Sequence, residues 1–551
     1  MKIRLPRHAV AGLLALLAAC SGHGAKTPID AHKISEHVRV LSGDDFQGRG
    51  PATPAEAKVI DYITGQFKAL GLEPAGEHGG WMQDVPLARF ELAGPIGLSL
   101  AVKGRADPLT QGDQVVVQTL LPVDRVAIKD APLVFVGYGV KAPERQWDDF
   151  KGYDLHGKIA VVLINDPDFE NPSSQRFGGV AETYYGRWTY KYEEAARQGA
   201  LGMLIVHETK PASYGWATVK NSNANAQFDI VRPDPTKAHP LLQGWIQRDV
   251  TEKLFKDCGL DFAAQKAAAM RPDFRPVPLG CASFSADYAV DHVNTTTHNI
   301  LGKLTGKAHP DETIFYTAHW DHLGVGAPDA KGDRIFNGAL DNASGVGDIL
   351  ELARVFAQTT PRTDRTVVFM AVTAEEKGLL GSLYYASHPL YPLATTVADF
   401  NFDALDADGP AHDVSVRGSN QLTLEADLAA VAKAHGRRFS PEPDPGAGRF
   451  YRADHFSFAK FGVPGISIIS GRDLIKGGRA AGDAWNADYV AHRYHQPADE
   501  WSPDMDLTGQ AEDVGLGYEM GLKLANSREW PQWTPTSEFK SLRDATAKER
   551  Q

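Results

Sequence analysis

The sequence predicts an α/β fold, with a mixed, mostly parallel central sheet flanked by helices and a β-rich unit inserted into it. Three observations carry this. Residues 313–318, 365–373 and 397–402 are β-branched and aromatic runs of strand length, and the middle one is nearly continuous in apolar residues, as a strand buried on both faces requires. Between the first two runs, Val346, Ile349, Leu350, Ala353, Phe356 and Ala357 recur at helical spacing over Ser344 to Gln358. Strand, helix and strand in that order make a βαβ unit. Each of the three runs also ends in a residue type that ligates metal.

In sheets of this kind, ligands bind outside the carboxyl ends of the strands. His319, Glu375, Glu376 and Asp403 each follow such an end, and Asp341 precedes the helix on the same side. Singly, each has an ordinary explanation. A histidine after a strand is more often a surface or core residue, adjacent acids usually open a solvated helix, and Asp341-Asn342 reads as a cap or turn. Together they bring one imidazole and four carboxylates to one edge. Carboxylates that close repel one another until some take up protons, and one or two divalent cations remove the conflict. An imidazole and carboxylate set without thiolate suits Zn²⁺, with Mn²⁺ or Co²⁺ as substitutes. A carboxylate left off the metal can act as general base toward an attacking water.

The same residues resemble a known family, the co-catalytic zinc peptidases typified by bacterial leucyl aminopeptidase, with glutamate carboxypeptidase and the transferrin receptor as relatives. The matching pieces are Ala318-His319-Trp-Asp321, Asp341-Asn342-Ala-Ser-Gly345, Ala374-Glu375-Glu376-Lys-Gly378, Asn401-Phe-Asp403 and Tyr494-His495-Gln-Pro-Ala-Asp499. Arg452-Ala-Asp454-His455-Phe and Gly462-Val-Pro464 also fit, so most of residues 286–530 is covered in the family's order. The resemblance implies two metal ions. His319 and Asp403 would hold one, Glu376 and His495 the other, and Asp341 would bridge them. Glu375 would be the general base, and Asp321 would orient the His319 ring. The Asp341-Asn342 peptide is expected to be cis. His322 and His492 are rivals to His319 and His495, and the motifs favour the latter pair. Ala453 stands where relatives usually carry Ser. Tyr451 is a candidate donor to the oxyanion, with plain packing as the other reading.

Taken from its start, the chain of 551 residues is too long for one core. Its net charge of −12, without a basic block, argues against nucleic acid as partner. Lys2, Arg4 and Arg7 followed by the apolar stretch Ala9 to Ala19 read as a targeting segment too short to span a membrane. Leu17-Ala18-Ala19-Cys20 resembles a bacterial lipobox. That implies a signal peptide over 1–20, a lipid anchor at Cys20 as the sole membrane attachment, and a tether over 21–28. Ser21, in place of Asp, implies the outer membrane, with the protein facing the periplasm. Cys258 and Cys281 can pair in that compartment, though sequence does not bring them together.

Residues 29–114 read as the first part of the peptidase domain. Ser42 to Gly50 and a helix over Ala55 to Leu70 resemble the family's opening. Residues 115–285 read as an insertion: Pro132 to Val140, Leu155 to Leu163 and Gly199 to Val206 are strand-like runs, with a helix over Lys191 to Gln198. This segment resembles a protease-associated domain, which in the family covers the active site or shapes access. Tyr184, Tyr185, Trp188 and Tyr190 either line a cleft or pack within that unit. Residues 286–530 form the main part of the peptidase domain, with a helix over 421–434, a strand over Val463 to Ile469, a glycine-rich loop over Gly471 to Arg493 and a helix over Leu507 to Asn526. Residues 531–551 read as a polar tail.

The functional expectation is a di-zinc exopeptidase acting on peptides, foremost an aminopeptidase. A carboxypeptidase or dipeptidase is the alternative within the family, with Arg472, Arg479 and Arg493 available to a substrate carboxylate. A non-catalytic, receptor-like binding protein is the alternative of another class. Oligomeric state is left open.

Overall fold

The computed structural model describes residues 28–171, 173–404, 408–419 and 421–550. The expected signal segment, Cys20 and the tether short of Pro28 lie outside the described residues.

Helix α1 (Pro54–Ala69) buries Val59, Ile63 and Phe67. The long strand β1 (Met82–Val102) follows. The middle of the chain supplies strands β2 (Arg125–Phe135), β3 (Ile159–Leu163), β4 (Gly202–His207) and β5 (Leu242–Gln247), with helices α2 (Trp188–Arg197) and α3 (Trp216–Ser222). Strand β6 (Val277–Leu304) returns the chain to β7 (His309–His319), α4 (Gly345–Gln358), β8 (Arg365–Val372) and β9 (Thr396–Asn401). Strand β10 (Gly465–Ser470) and helices α5 (Gly478–His492) and α6 (Thr508–Ala525) complete the part that bears on the site.

The sheet runs β10-β9-β7-β8-β6-β2-β3-β4-β5. Strands β10, β9, β7 and β8 are mutually parallel, and so are β2 to β5. Strand β6 is antiparallel to its neighbours and belongs to both halves. Its residues 300–304 pair with β8 and its residues 277–289 with β2. Every side chain of β8 is buried, as its unbroken apolar run requires.

Two hydrophobic cores flank this spine. Ile314, Val346, Leu350, Val367, Phe369, Phe400 and Val514 share one. Val126, Leu133, Phe135, Val161, Leu204, Phe255 and Phe284 share the other. Phe90, Leu98 and Leu100 join the second core although they precede residue 115. The cause is the antiparallel pairing of β1 along β6 from Met82–Ile300 to Val102–Ala282, which carries those side chains out of the first core.

Two local expectations change. The expected loop after Gly471 contains helix α5, in which Trp485 and Tyr489 stack four residues apart. The expected polar tail packs: Trp533 and Phe539 enter the first core, and Trp533 Nε1 donates to the Gly462 carbonyl. Cys258 and Cys281 form a disulfide within the middle part. Among the described residues, no helix is long and apolar enough to cross a membrane.

Candidate metal centre

The carboxyl ends of β7, β8 and β9 place three donors. His319 is the last residue of β7, Glu375 and Glu376 form a short turn just past β8, and Asp403 follows β9. Asp341 comes from the turn before α4, and His495 from the segment just past α5. The geometry is that of two half-sites sharing one carboxylate. Asp341 Oδ1 lies 3.2 Å from His319 Nε2, and its Oδ2 lies 3.3 Å from His495 Nε2. Asp403 Oδ1 approaches His319 Nε2 at 3.6 Å, whereas Glu376 Oε2 approaches His495 Nε2 at 3.0 Å. Glu375 Oε2 stands 3.8 Å from His319 Nε2.

Several residues hold this arrangement, and only some were legible beforehand. The fully buried Arg49 donates to the carbonyls of Trp320, Asn337 and Gly338, tying the loop after His319 to the one before Asp341. The Asp499 carboxylate accepts from the backbone N–H groups of Leu340 and Asp341. The Asp341-Asn342 peptide is cis, as the resemblance implied. Asn342 Nδ2 donates to the Phe402 carbonyl, fixing that turn against the end of β9. The signal for Asp499 lay in the Tyr494 to Asp499 motif. Arg49 lay within the Ser42 to Gly50 stretch that resembles the family's opening, but that resemblance did not give its contacts almost three hundred positions away.

Asp321, expected to orient the His319 ring, meets it mainly through its backbone. The His319 Nδ1 partner is the Asp321 backbone carbonyl at 3.1 Å, with the carboxylate farther off at 3.8 Å. That carboxylate accepts from Glu375 N and Glu376 N and so braces the turn carrying both acids. His322 is buried and its Nδ1 lies 2.6 Å from Glu376 Oε1, but neither ring nitrogen makes a directed hydrogen bond. It faces the outer side of Glu376. His492 is exposed and pairs with Asp488.

The electrostatics show what the cluster needs. Burial pushes the Glu375 carboxyl well above its usual range, and Glu376, Asp403 and Asp454 push it further against the pull of His319. Burial opposes the charged form of His319, yet Glu375, Asp341 and Asp403 hold its pKa well above the ordinary value. Burial likewise opposes charge on His495, which Glu376 and Asp341 nevertheless push up to about 9. Asp341 is held well below the carboxylate range by the two imidazoles in spite of its burial. These acids share too little positive charge. His319, Asp341, Glu375, Glu376 and Asp403 also offer ligand atoms within 4.8 Å of one another in overlapping triads. Hard oxygen and imidazole donors crowded in this way fit divalent zinc.

A cavity of about 200 Å³ opens on this cluster from between the two cores. Glu375, Glu376 and His495 line one side, and Tyr184, Trp188 and Ser222 line the other. Of the four aromatic residues considered above, Tyr184 and Trp188 therefore reach the cleft, while Tyr185 and Tyr190 pack edge to face within the insertion. Tyr451 borders the cavity, but its hydroxyl turns to Glu538 at 3.3 Å. Tyr494, quoted above only as part of a motif, borders the same cavity with its ring 4.0 Å from that of His495. Burial and then the nearby Asp341 raise its pKa, so it remains a protonated donor.

Arg472, Arg479 and Arg493 do not line the cavity. They pair with Asp444, Asp483 and Asp488 instead. Arg187 and Arg452 do line it. Arg187 is 6% exposed and its side chain makes no hydrogen bond or ion pair among the described residues. Arg452 donates to the Ala212 carbonyl and stacks on Tyr214.

Residues 299–517 match Peptidase family M28. The chain is 25% identical over 431 residues to aminopeptidase NAALADL1 of Mus musculus, covering 68% of this chain and 53% of that protein. It is 37% identical over 113 residues to aminopeptidase YwaD of Bacillus subtilis (strain 168), covering 20% of this chain and 22% of that protein. The chain thus spans about half the length of the mouse relative. Among solved structures, an aminopeptidase from Aneurinibacillus sp. strain AM-1 superposes with a TM-score of 0.53 at 21% identity, covering 91% of this chain and 95% of that one. That likeness is one of fold, and it agrees with the mostly parallel sheet described above.

Proposed function

We propose that this chain, whose residues 299–517 match Peptidase family M28, is a zinc-dependent exopeptidase, foremost an aminopeptidase. One observation carries the reading: the Asp341 carboxylate faces two imidazoles, and each imidazole has a second carboxylate of its own. His319 and Asp403 would hold one zinc ion, His495 and Glu376 a second, with Asp341 between them. Bound zinc supplies Lewis acidity, polarising the scissile carbonyl and lowering the pKa of water. Glu375, braced through its backbone N–H by Asp321, takes the proton of the attacking water and passes it to the leaving amine. The Tyr494 phenol donates to the oxygen of the tetrahedral adduct, a role open to it because Tyr451 is engaged with Glu538. Tyr184 and Trp188 wall the cleft from the insertion side, where we propose a protease-associated domain shapes access.

The names of the mouse and Bacillus relatives support the aminopeptidase form. A second reading, a carboxypeptidase or dipeptidase, is favoured by the uncommitted Arg187 guanidinium beside Arg452 in the same cleft. Zinc-loaded protein assayed on free, N-acetylated and C-amidated peptides separates these readings. Cleavage abolished by N-acetylation establishes the aminopeptidase. Cleavage indifferent to acetylation but blocked by amidation establishes the second reading, and Arg187→Met would then raise KM. No cleavage of any peptide by zinc-loaded protein would sink both.

We further propose attachment to the outer membrane through lipid on Cys20, supported by the basic start, the short apolar stretch and Leu17-Ala18-Ala19-Cys20. Cys20→Ser should move the protein from the membrane to the soluble fraction; unchanged partitioning would rule the anchor out.

A further inference from the structure

The two half-sites differ in how their histidines are held. The His319 ring is fixed by its own loop, through the Asp321 carbonyl at 3.1 Å. The His495 ring is fixed from the insertion. Ser222 Oγ, at the end of α3, lies 2.7 Å from His495 Nδ1 across 273 residues of sequence. A zinc-ligating imidazole must offer the lone pair of the nitrogen that faces the ion, so the other nitrogen carries hydrogen and needs an acceptor. Nε2 is the nitrogen that faces Asp341 and Glu376. Ser222 is therefore placed to accept from Nδ1–H and to select both tautomer and ring orientation.

The backbone of His495 is held from the same place. His495 has φ of 55°, in the left-handed region that a non-glycine residue adopts only at a cost. Asn221 Nδ2 donates to its carbonyl at 2.9 Å. Asn225 Nδ2 donates to the Leu323 carbonyl at 2.7 Å, on the loop after His319. Gln227 Nε2 closes the strap by donating to the carbonyls of Ser222 and Asn225. Residues 221–227 are thus stitched to both donor-bearing loops.

We infer that Ser222 is a positioning residue for the ion held by His495 and Glu376, and that docking of the insertion and retention of that ion stabilise each other. Linkage makes the coupling reciprocal: whatever loosens the strap weakens this ion, and this ion tightens the strap. The His319 ring is held within its own loop and takes no contact from Ser222, so the loss of that hydroxyl bears on the second ion. The inference rests on the two-ion reading proposed above.

The test is zinc stoichiometry and affinity of the full chain by competition with a chromogenic chelator, paired with amide hydrogen exchange over residues 216–227. Ser222→Ala should weaken the second ion about 10- to 100-fold and leave the first unchanged. Ser222→Thr, which keeps the hydroxyl, should restore it. Lys220→Ala, on the same helix but paired outward with Asp113, should change neither ion. In the wild type, the second equivalent of zinc should slow exchange over the strap, and in Ser222→Ala it should not. Two ions bound as tightly by Ser222→Ala as by the wild type would overturn this inference alone. A wild-type chain taking up a single ion would overturn the two-ion reading and this inference together.

Discussion

The chain buries charge in two places, and it settles the charge differently in each. Around Lys191, in the insertion, the ammonium and the carboxylates of Asp149 and Asp166 find their partners within the protein. The Lys191 ammonium donates to the carbonyls of Tyr138, Asn165 and Tyr185 at 2.6, 2.9 and 2.7 Å. Asp149 accepts from Trp147 Nε1 and Val140 N, and Asp166 from the backbone and hydroxyl of Thr183. At the ends of β7 to β9 the balance is left open. The Glu375 and Glu376 carboxylates receive no hydrogen bond from any N–H or O–H other than the imidazoles, among the described residues, and Glu376 Oε1 meets only the His322 ring, without a directed hydrogen bond. Both clusters are buried and both are rich in acid. What separates a structural cluster from a ligand site is the supply of donors, because buried polar groups left unpaired are costly unless something else meets them.

The comparison can be broken most decisively at the open cluster. Glu375→Gln should bind zinc as the wild type does while turnover falls about 10²- to 10⁴-fold, the usual worth of a positioned general base. Normal turnover would remove Glu375 from the chemistry. The closed cluster should behave in the opposite way. Lys191→Met leaves three carbonyls without their donor and should cost about 3 kcal/mol in urea unfolding, within the range for breaking a buried charged network. Its zinc stoichiometry should match that of the wild type. Altered metal content with unchanged stability would mean that the two clusters had been assigned the wrong way round.

How much of this could be read from the chain alone follows from how far each contact reaches. His319, Glu375, Glu376 and Asp403 were legible because each ends an apolar run, and strand ends converge by topology. His495 and Asp341 came from the resemblance and from placement before α4. The parallel strands β7, β8 and β9 were legible for the same reason: their runs are short, apolar and uninterrupted. Helix α5 was not, because four glycines between Gly471 and Gly482 disguise it. Nor was the early crossing into the second core, since the register between β1 and β6 is set by pairing across about two hundred residues. Ser222, Asn221 and Arg187 carry no local signal. Serine, asparagine and arginine are ordinary surface residues in a sequence, and only the fold sets them against the site. The arginines closest to His495 in sequence were the wrong ones for the same reason, being paired along their own segments.

The smallest effect expected is a change in stability with pH, and it sharpens the contrast. Burial disfavours the charged form of Lys191, and Asp166, Asp149 and Glu182 restore only part of it, so its pKa falls from 10.5 to about 8. In the unfolded chain the same amine keeps its ordinary pKa. Between the two values the unfolded state binds more protons than the folded state, so stability rises as pH increases through that window. The urea midpoint of the wild type should therefore climb between about pH 8 and pH 10 relative to that of Lys191→Met, in which the titrating group is gone. Parallel pH profiles for the two proteins would mean that Lys191 stays charged in the folded state throughout, fully satisfied by its three carbonyls. The closed cluster would then hold its charge at no cost, and the difference from the open cluster would be greater still.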